Sequence, residues 1–304
     1  MSLASRKAVG AGLTWLTGLA ALLVIGMLGF ILWDVVAGGW SRISLQFLTQ
    51  APSEGMTGGG IFPAIYGTAI LTLLMTVAVL PVGVLTAVYL HEYAPKDSRL
   101  ATLVRVAVQN LAGVPSIVFG LFGVGFFIQF LGRGMDRAFS EPGALRWGQP
   151  SLIWAALTLA VLTLPVVIVS TEEALRAVPR DWRDASLALG ATRSQTLARV
   201  ILPSAVPGIL TGAILAVARG AGEVAPILFT GVAYFLPDLP TSPTSQFMHL
   251  GYHVYVLATQ SPDVEATRPL LYATVMVLLV LTFLLNLVAI VLRIRTRRAA
   301  AGGH

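Results

Sequence analysis

Two residues of opposite charge, Arg219 and Glu223, lie in the stretch AVARGAGEVAP (216–226), inside a long apolar part of the sequence. An arginine at the centre of a bilayer costs about 2.5–3.5 kcal/mol on insertion scales, so something must compensate for it. The spacing i, i+4 lets the two side chains pair along one helix face. A guanidinium also presents a planar fork that matches two oxygens of an oxyanion. The stretch therefore predicts either an anion pathway or an ion pair that only fixes helix packing.

A row of small residues precedes this pair at helical spacing. The row consists of Gly208, Gly212, Ala216 and Gly220. Small residues in such a row let a second helix approach closely. Arg219 follows Gly212 by seven positions and is expected on about the same side of the helix. Arg105 is a weaker pathway candidate, and a position near the inner membrane surface is the alternative for it.

The elements that must hold these residues are membrane helices. Of the 304 residues, 56% are hydrophobic and 11% are charged, whereas a soluble domain has about a quarter charged residues. Six apolar segments approach the length of about 20 residues that crosses a bilayer. We place them at Val9–Trp33, Phe62–Leu90, Leu100–Leu131, Ser151–Ser170, Ser204–Phe235 and Pro269–Leu292. The third contains Gly113-Val114-Pro115, and the fifth contains Gly220, Gly222 and Pro226. Bends or partly unwound turns are expected at these positions.

Lys and Arg set the orientation, because cytoplasmic loops are enriched in them. With both termini inside, the inner segments carry thirteen basic residues and the outer segments carry five. The expected organisation is an N-terminal helix with an outer loop (1–60), a core of five spans (61–292) and a basic cytoplasmic tail (293–304). Basic residues that flank membrane spans account for most of the net charge of +6, so nucleic-acid binding is not expected.

Motifs for enzyme chemistry are missing from the sequence. There is no G-x-x-x-x-G-K-[ST] for nucleotide phosphates, and no cysteine. His91-Glu92 begins like a zinc-protease helix, but Pro95 occupies the place of the second histidine. His249 and His253 lack a third ligand and are expected at the outer membrane surface. We therefore predict no metal and no catalytic residue.

One inner segment, residues 171–203, differs from the other connections by its length. Pro179 can open a helix, and Gly190 can close it in a left-handed conformation. A second helix is expected from about Ser194 into the next span. A connector of this size is usually functional, although helices that simply rest on the membrane face are the alternative.

This segment resembles the cytoplasmic coupling loop of ABC importer permeases, the EAA loop. Asp184-Ala185-Ser186, three residues, Gly190, nine residues and then Val200-Ile201-Leu202-Pro203 reproduce its spacing. The resemblance implies an all-α, type I importer (MetI-like) core whose coupling helix docks on a separate ATPase subunit. The residues that it assigns to coupling are Asp184, Ala185, Ser186, Leu187, Gly190, Leu202 and Pro203.

Further stretches resemble the PstA-type permease subunits of bacterial phosphate ABC importers. They are GGGIFPAIYGTAILTLL (58–74), PVGVLTAVYLHEYA (81–94), NLAGVPSIVFGLFG (110–123), STEEALRAVPRDWRDASLALGATR (170–193) and ARGAGEVAPILFTG (218–231). The resemblance implies phosphate import across a bacterial inner membrane. The implied partners are two ATPase subunits, which hold ATP and Mg, a related second permease and an external binding protein. No cofactor is then expected on this chain itself.

Three other functions remain open from the sequence. The anion could be sulfate or molybdate rather than phosphate. An ion-coupled carrier would work without an ATPase, but it would more usually show two related halves. An intramembrane enzyme would need the nucleophile, base or metal that the sequence lacks.

Overall fold

The computed structural model of the chain describes residues 3–53, 58–95, 97–141, 143–261 and 263–301. Within these ranges six helices are long and apolar enough to cross a membrane. They cover Gly10–Arg42, Phe62–Tyr93, Ser116–Phe139, Leu152–Arg176, Arg193–Gly222 and Val264–Thr296. The predicted all-α architecture of six spans is thereby confirmed. The chain is a multi-pass membrane protein, and an even number of crossings leaves both termini on one side.

The N-terminal part forms one long helix followed by a small outer structure. The elements are α1 (Leu3–Gly39), a 3₁₀ turn (Trp40–Arg42), α2 (Leu45–Thr49) and the antiparallel strands β1 (Pro52–Ser53) and β2 (Gly58–Gly59). Most of the α1 span is exposed within the single chain. Its outer end meets the last helix, where Tyr272 donates a hydrogen bond to Asp34 at 2.8 Å.

The second span agrees with the prediction, but the third does not. Helix α3 covers Phe62–Val88 and continues as a π-helical turn over Tyr89–Tyr93. The predicted span Leu100–Leu131 is divided into α4 (Arg99–Ala112) and a helical run formed by α5 (Ser116–Phe122), a π-helical segment (Gly123–Gly132) and α6 (Arg133–Phe139). The expected break lies at Gly113-Val114-Pro115, because proline disfavours helical backbone in the residue before it. Helix α4 is amphipathic: Ala101 and Val108 on one face are buried, and the opposite face is exposed. An average of hydropathy along the segment does not reveal this difference.

The fourth and fifth spans flank the long inner segment. They are α7 (Leu152–Arg176), α8 (Arg180–Ala188), α9 (Arg193–Thr196), a π-helical turn (Leu197–Ile201) and α10 (Leu202–Gly222). The predicted fifth span, Ser204–Phe235, is wrong at both ends. Helical structure runs without interruption from Arg193 through Pro203, and it stops at Gly222 because Glu223 has extended backbone angles, φ −78° and ψ 129°. A short helix α11 (Ile227–Thr230) follows.

The predicted outer loop 236–267 contains a helix that sequence patterns did not indicate. This helix, α12 (Leu250–Thr259), precedes the last one, α13 (Val264–Ala301). Leu250, Val256 and Leu257 are buried against Phe47 and the outer part of α13. Helix α13 begins five residues before the predicted Pro269, because Asp263 Oδ1 accepts a hydrogen bond from the Ala266 N–H at 2.9 Å and caps the helix.

Helices α3, α7 and α10 form the centre of the bundle. Leu71, Met75, Leu159 and Ala216 are fully buried there in one apolar cluster. The small-residue row of α10 lies against these helices as predicted. A Cβ added at Gly208 would collide with Ala174, one at Gly212 with Ser170, and one at Gly220 with Met75. The row therefore sets the distance between α10 and its neighbours.

Candidate functional site

The structure brings Arg219 and Glu223 together at the end of α10. Arg219 Nε and Glu223 Oε1 lie 3.6 Å apart, and the two side chains are 38% and 22% exposed. Glu223 is the first residue after the helix, where its N–H donates to the Gly220 carbonyl at 3.3 Å. The predicted ion pair is confirmed, but its carboxylate projects from the segment beyond the helix and not from a shared helix face.

Arg219 lies on an exposed part of α10, beside the small-residue row. The buried face of α10 includes Gly212, Ala216 and Gly220, whereas Arg219 shares an exposed stripe with Leu215 and Ala218. The expectation that Arg219 points to the same side as the row is therefore wrong. The row itself turns by about 40° with each step of four residues, so its last member, Gly220, lies about 100° around the helix from Arg219.

Two other elements enclose the segment that carries Glu223. A Cβ added at Gly251, in the first turn of α12, would lie 2.7 Å from Val224. A Cβ added at Gly120 in α5 would lie 3.0 Å from the Pro226 carbonyl oxygen. The ion pair is thus held where α10 ends and where α5 and α12 approach the chain that follows it.

The structure does not place Arg105 beside this pair. Arg105 Nη2 donates to the Leu90 carbonyl at 2.6 Å, and Arg105 Nε lies 3.5 Å from Glu172 Oε1. Glu172 lies nine residues beyond Thr163, the α7 residue that lies near Gly220, which is about 13 Å along the helix. Arg105 borders a separate cavity of about 170 Å³ near the inner end of α7. A pathway role for it stays a prediction.

The inner segment forms the predicted helix, glycine turn and second helix. Gly190 has φ +85°, its N–H donates to the Leu187 carbonyl at 3.0 Å, and the Ala191 N–H donates to the Ser186 carbonyl at 3.2 Å. These two bonds are the Schellman pattern that closes a helix at a left-handed glycine. Thr192 then caps α9 in a reciprocal arrangement with Gln195, so local sequence signals explain the whole turn.

The coupling residues predicted on α8 are mostly exposed, because no other part of the chain packs over them. Asp184, Ala185 and Leu187 are exposed, Ser186 is half-buried, and the neighbouring Leu189 is 89% exposed. Pro203 borders the same groove, of about 580 Å³, as Ala185, Ser186 and Leu189. Leu202 packs beneath it in the cluster that contains Leu175 and Ile201. The structure therefore gathers these residues around one exposed apolar ridge.

Sequence reasoning missed one ion pair at the edge of this ridge and misplaced two histidines on the outer side of the molecule. Arg183 of α8 pairs with Glu92 in the π-helical turn after α3 at 2.5 Å, and a separation of 91 residues gives no signal in the sequence. His249 and His253, expected at the outer surface, are 1% and 2% exposed. Among the described residues no group of three or more His, Cys, Asp or Glu could hold a metal ion.

These features define a class of protein. Six membrane helices, an exposed helical ridge on the inner side and a charged pair at the end of one span describe the transmembrane subunit of a transporter. The sequence matches the family described as "Binding-protein-dependent transport system inner membrane component" over residues 79–298. The chain belongs to this family.

Relatives in other organisms extend over most of the chain. A "Probable ABC transporter permease protein YqgI" of Bacillus subtilis is 34% identical over 275 residues, covering 86% of this chain and 88% of the relative. A "Phosphate transport system permease protein PstA" of Yersinia pestis is 34% identical over 264 residues, covering 86% and 81%. The predicted resemblance to PstA-type permeases of ABC importers is confirmed.

The fold is also that of a solved importer. A bacterial ABC transporter involved in the import of the acidic polysaccharide alginate superposes with a TM-score of 0.64 at 16% identity. The match covers 95% of this chain and 99% of that chain. At this identity the likeness concerns the fold alone.

Proposed function

We propose that this chain is the permease subunit of an ATP-driven importer that carries inorganic phosphate inward. The observation that carries the proposal is the Arg219–Glu223 pair at the end of a membrane span, on a stripe that its own chain leaves exposed. Relatives named as phosphate transport permeases, 34–40% identical over much of the chain, support phosphate as the anion.

The exposure of Arg219 is the physical reason for a pathway role. A charged side chain within the membrane faces a bundle interior or a water-filled cavity, because contact with lipid is costly. Arg219 is 38% exposed in the single chain, so another surface must shield it from lipid. A second permease subunit on this face would do so and would enclose a route between the two chains.

The pair also fits the protonation chemistry of phosphate. The guanidinium of Arg219 can donate to two oxygens of the anion. Phosphate near pH 7 keeps at least one proton, which the Glu223 carboxylate can accept, whereas fully deprotonated sulfate would be repelled. With no anion present, Glu223 compensates the charge of Arg219.

The exposed ridge around Asp184, Ala185, Ser186 and Leu187 is the proposed contact with the ATPase. In the resembled family this helix docks on a separate nucleotide-binding subunit. We infer an assembly of two permease subunits, two ATPase subunits and an external binding protein. ATP and Mg bind the ATPase subunits in this proposal, and this chain itself binds no cofactor.

The test is uptake of labelled phosphate by the whole complex in liposomes, with sulfate, molybdate and arsenate as competitors. We expect competition by arsenate, which shares the charge and protonation of phosphate, and little by the other two. Arg219→Ala should lower uptake at least about a hundredfold if the guanidinium contacts the anion, while the subunits still assemble. Arg42→Ala, which removes an exposed arginine in the 3₁₀ turn after α1, is the matched control. Unchanged uptake by Arg219→Ala would remove this residue from the pathway.

A further inference from the structure

Helix α8 is joined to a membrane helix by an ion pair. Arg183 Nη2 lies 2.5 Å from Glu92 Oε1, in the π-helical turn at the inner end of α3. The Glu92 side chain is 10% exposed and that of Arg183 is 34% exposed. His91 Nδ1 also contacts Glu92 Oε1, at 2.8 Å. Because the Glu92 carboxylate is nearly buried, separation from the Arg183 guanidinium would leave an uncompensated charge at low dielectric. The two side chains therefore stay paired.

Few other contacts hold α8 in place. No residue of α8 is buried, so apolar packing fixes it weakly. Among the described residues, its side chains form hydrogen bonds or ion pairs with two residues, Glu92 and Thr196. The bond between Ser186 Oγ and Thr196 Oγ1, at 2.9 Å, stays within the inner segment itself. The Arg183–Glu92 pair is therefore the polar contact between α8 and a helix distant in sequence.

Glu92 in turn belongs to a set of contacts that spans three further helices. Two residues before it, the Leu90 carbonyl accepts a hydrogen bond from Arg105 of α4 at 2.6 Å. Arg105 lies 3.5 Å from Glu172 of α7, and Glu172 Oε2 lies 3.8 Å from Arg176 Nη2 at the end of the same helix. A displacement of Glu92 thus acts on α3 directly and on α4 and α7 through Arg105.

A cavity beside the ion pair leaves room for such a displacement. It has a volume of about 330 Å³ and is bordered by α8 and by the two π-helical turns, Tyr89–Tyr93 and Leu197–Ile201. A π-helical turn is a local departure from the α pattern and frequently occurs at functional sites. Both helices that meet α8 therefore have their irregular turns at the point of contact.

We propose that the Arg183–Glu92 pair transmits the movement of α8 to α3 and so couples ATP hydrolysis to opening of the pathway. Arg183 and Glu92 are positioning residues, since neither is placed on the route of the anion. The inference rests on the proposed function, in which an ATPase subunit moves α8.

The experiment compares Glu92→Gln, Arg183→Gln and the double variant in the whole complex. The measured quantities are phosphate imported per ATP hydrolysed and the amount of ATPase subunit that co-purifies. Each single variant should lower the import ratio, the phosphate imported per ATP hydrolysed, at least about fivefold, because the two charges are directly paired. The double variant should be no worse than the single variants. Glu173→Gln, at an exposed carboxylate on the same side of the membrane, is the matched control and should behave as wild type.

A cross-link separates transmission from a merely structural role. The chain has no cysteine, so Glu92→Cys combined with Arg183→Cys places two thiols in it, and cysteine-free partners keep the reaction specific. A short bifunctional thiol reagent should restore the import ratio without restoring charge. Normal coupling in both glutamine variants, loss of the ATPase subunit from them, or no recovery on cross-linking would each overturn the inference. A wild-type complex that fails to import phosphate would overturn the proposed function instead.

Discussion

At the scale of single residues, Gly190 shows how local chemistry shapes the ridge. Its φ of +85° is a conformation that residues with a Cβ adopt at a cost of about 1–2 kcal/mol. A Cβ added there would meet no heavy atom within 4 Å. Any penalty from substitution therefore comes from the backbone and not from a steric collision.

The backbone origin of this penalty leads to a prediction for Gly190→Val. The β-branched residue should open the turn and tilt α8 away from its docking position, so more ATP is hydrolysed per phosphate imported. The free energy of unfolding should fall by at most about 1–2 kcal/mol, the backbone cost of the left-handed conformation. Gly190→Asn is the control, since asparagine tolerates the left-handed conformation. An equal loss of coupling in both variants would show that the turn conformation is not what matters.

The residue scale also shows what sequence can and cannot predict about the site. The Arg219–Glu223 pair and the Gly190 turn involve residues within a few positions of one another, so their spacing carries the information. The partners of Arg105 are Leu90 and Glu172. The partner of Arg183 is Glu92, which lies 91 positions away. Contacts of that kind depend on how the helices pack, which no local pattern encodes.

At the scale of elements, the six spans follow from hydropathy and their interruptions from Gly and Pro, but the structure of the last outer loop does not follow from either. The break before Pro115 was expected because Gly and Pro mark it directly. Helix α10 likewise stops at Gly222, where Gly220, Gly222 and Pro226 predicted a bend or an unwound turn. Helix α12 was not expected, because residues from other parts of the sequence decide it. Phe47, Met248 and Leu270 form the apolar environment in which α12 lies, and they belong to separate parts of the sequence.

Two buried histidines, His253 in α12 and His249 at its N-cap, make stability depend on pH. Burial lowers the pKa of His249 to about 3 and that of His253 to about 4, from an ordinary value near 6.5. Below pH 6.5 the unfolded chain binds protons that the folded chain does not, so the free energy of unfolding falls as the pH decreases. The slope is about 1.4 kcal/mol per pH unit for each histidine between its unfolded pKa and its lower pKa in the folded chain.

The corresponding prediction concerns His253→Leu. Neither ring nitrogen of His253 has a hydrogen-bond partner among the described residues, so leucine removes an unsatisfied polar group. The melting temperature of the purified chain in detergent should fall less between pH 7 and pH 5 in this variant than in wild type. His249 Nδ1 accepts a hydrogen bond from the Gly251 N–H, which makes His249→Leu a useful contrast with an added capping loss. An unchanged pH dependence in His253→Leu would mean that His253 is already accessible to protons.

At the scale of the whole molecule, the chain exposes two surfaces that are suited to contacts with partner subunits. The exposed ridge of α8 and the exposed stripe that carries Arg219 lie on parts of the fold that its own core does not cover. The sequence contains no G-x-x-x-x-G-K-[ST] loop for ATP. Both features fit the proposed assembly, in which a separate ATPase subunit supplies the energy for transport.

The purified chain alone in liposomes should therefore neither hydrolyse ATP nor accumulate phosphate. Addition of the ATPase subunit, the second permease and the binding protein should restore both activities together, because the hydrolysis must be transmitted through α8. Coupling through α8 further requires that uptake stop when ATP is replaced by a non-hydrolysable analogue. Accumulation of anions by the chain alone under a proton or sodium gradient would instead identify an ion-coupled carrier, in which the ridge of α8 has no mechanical role.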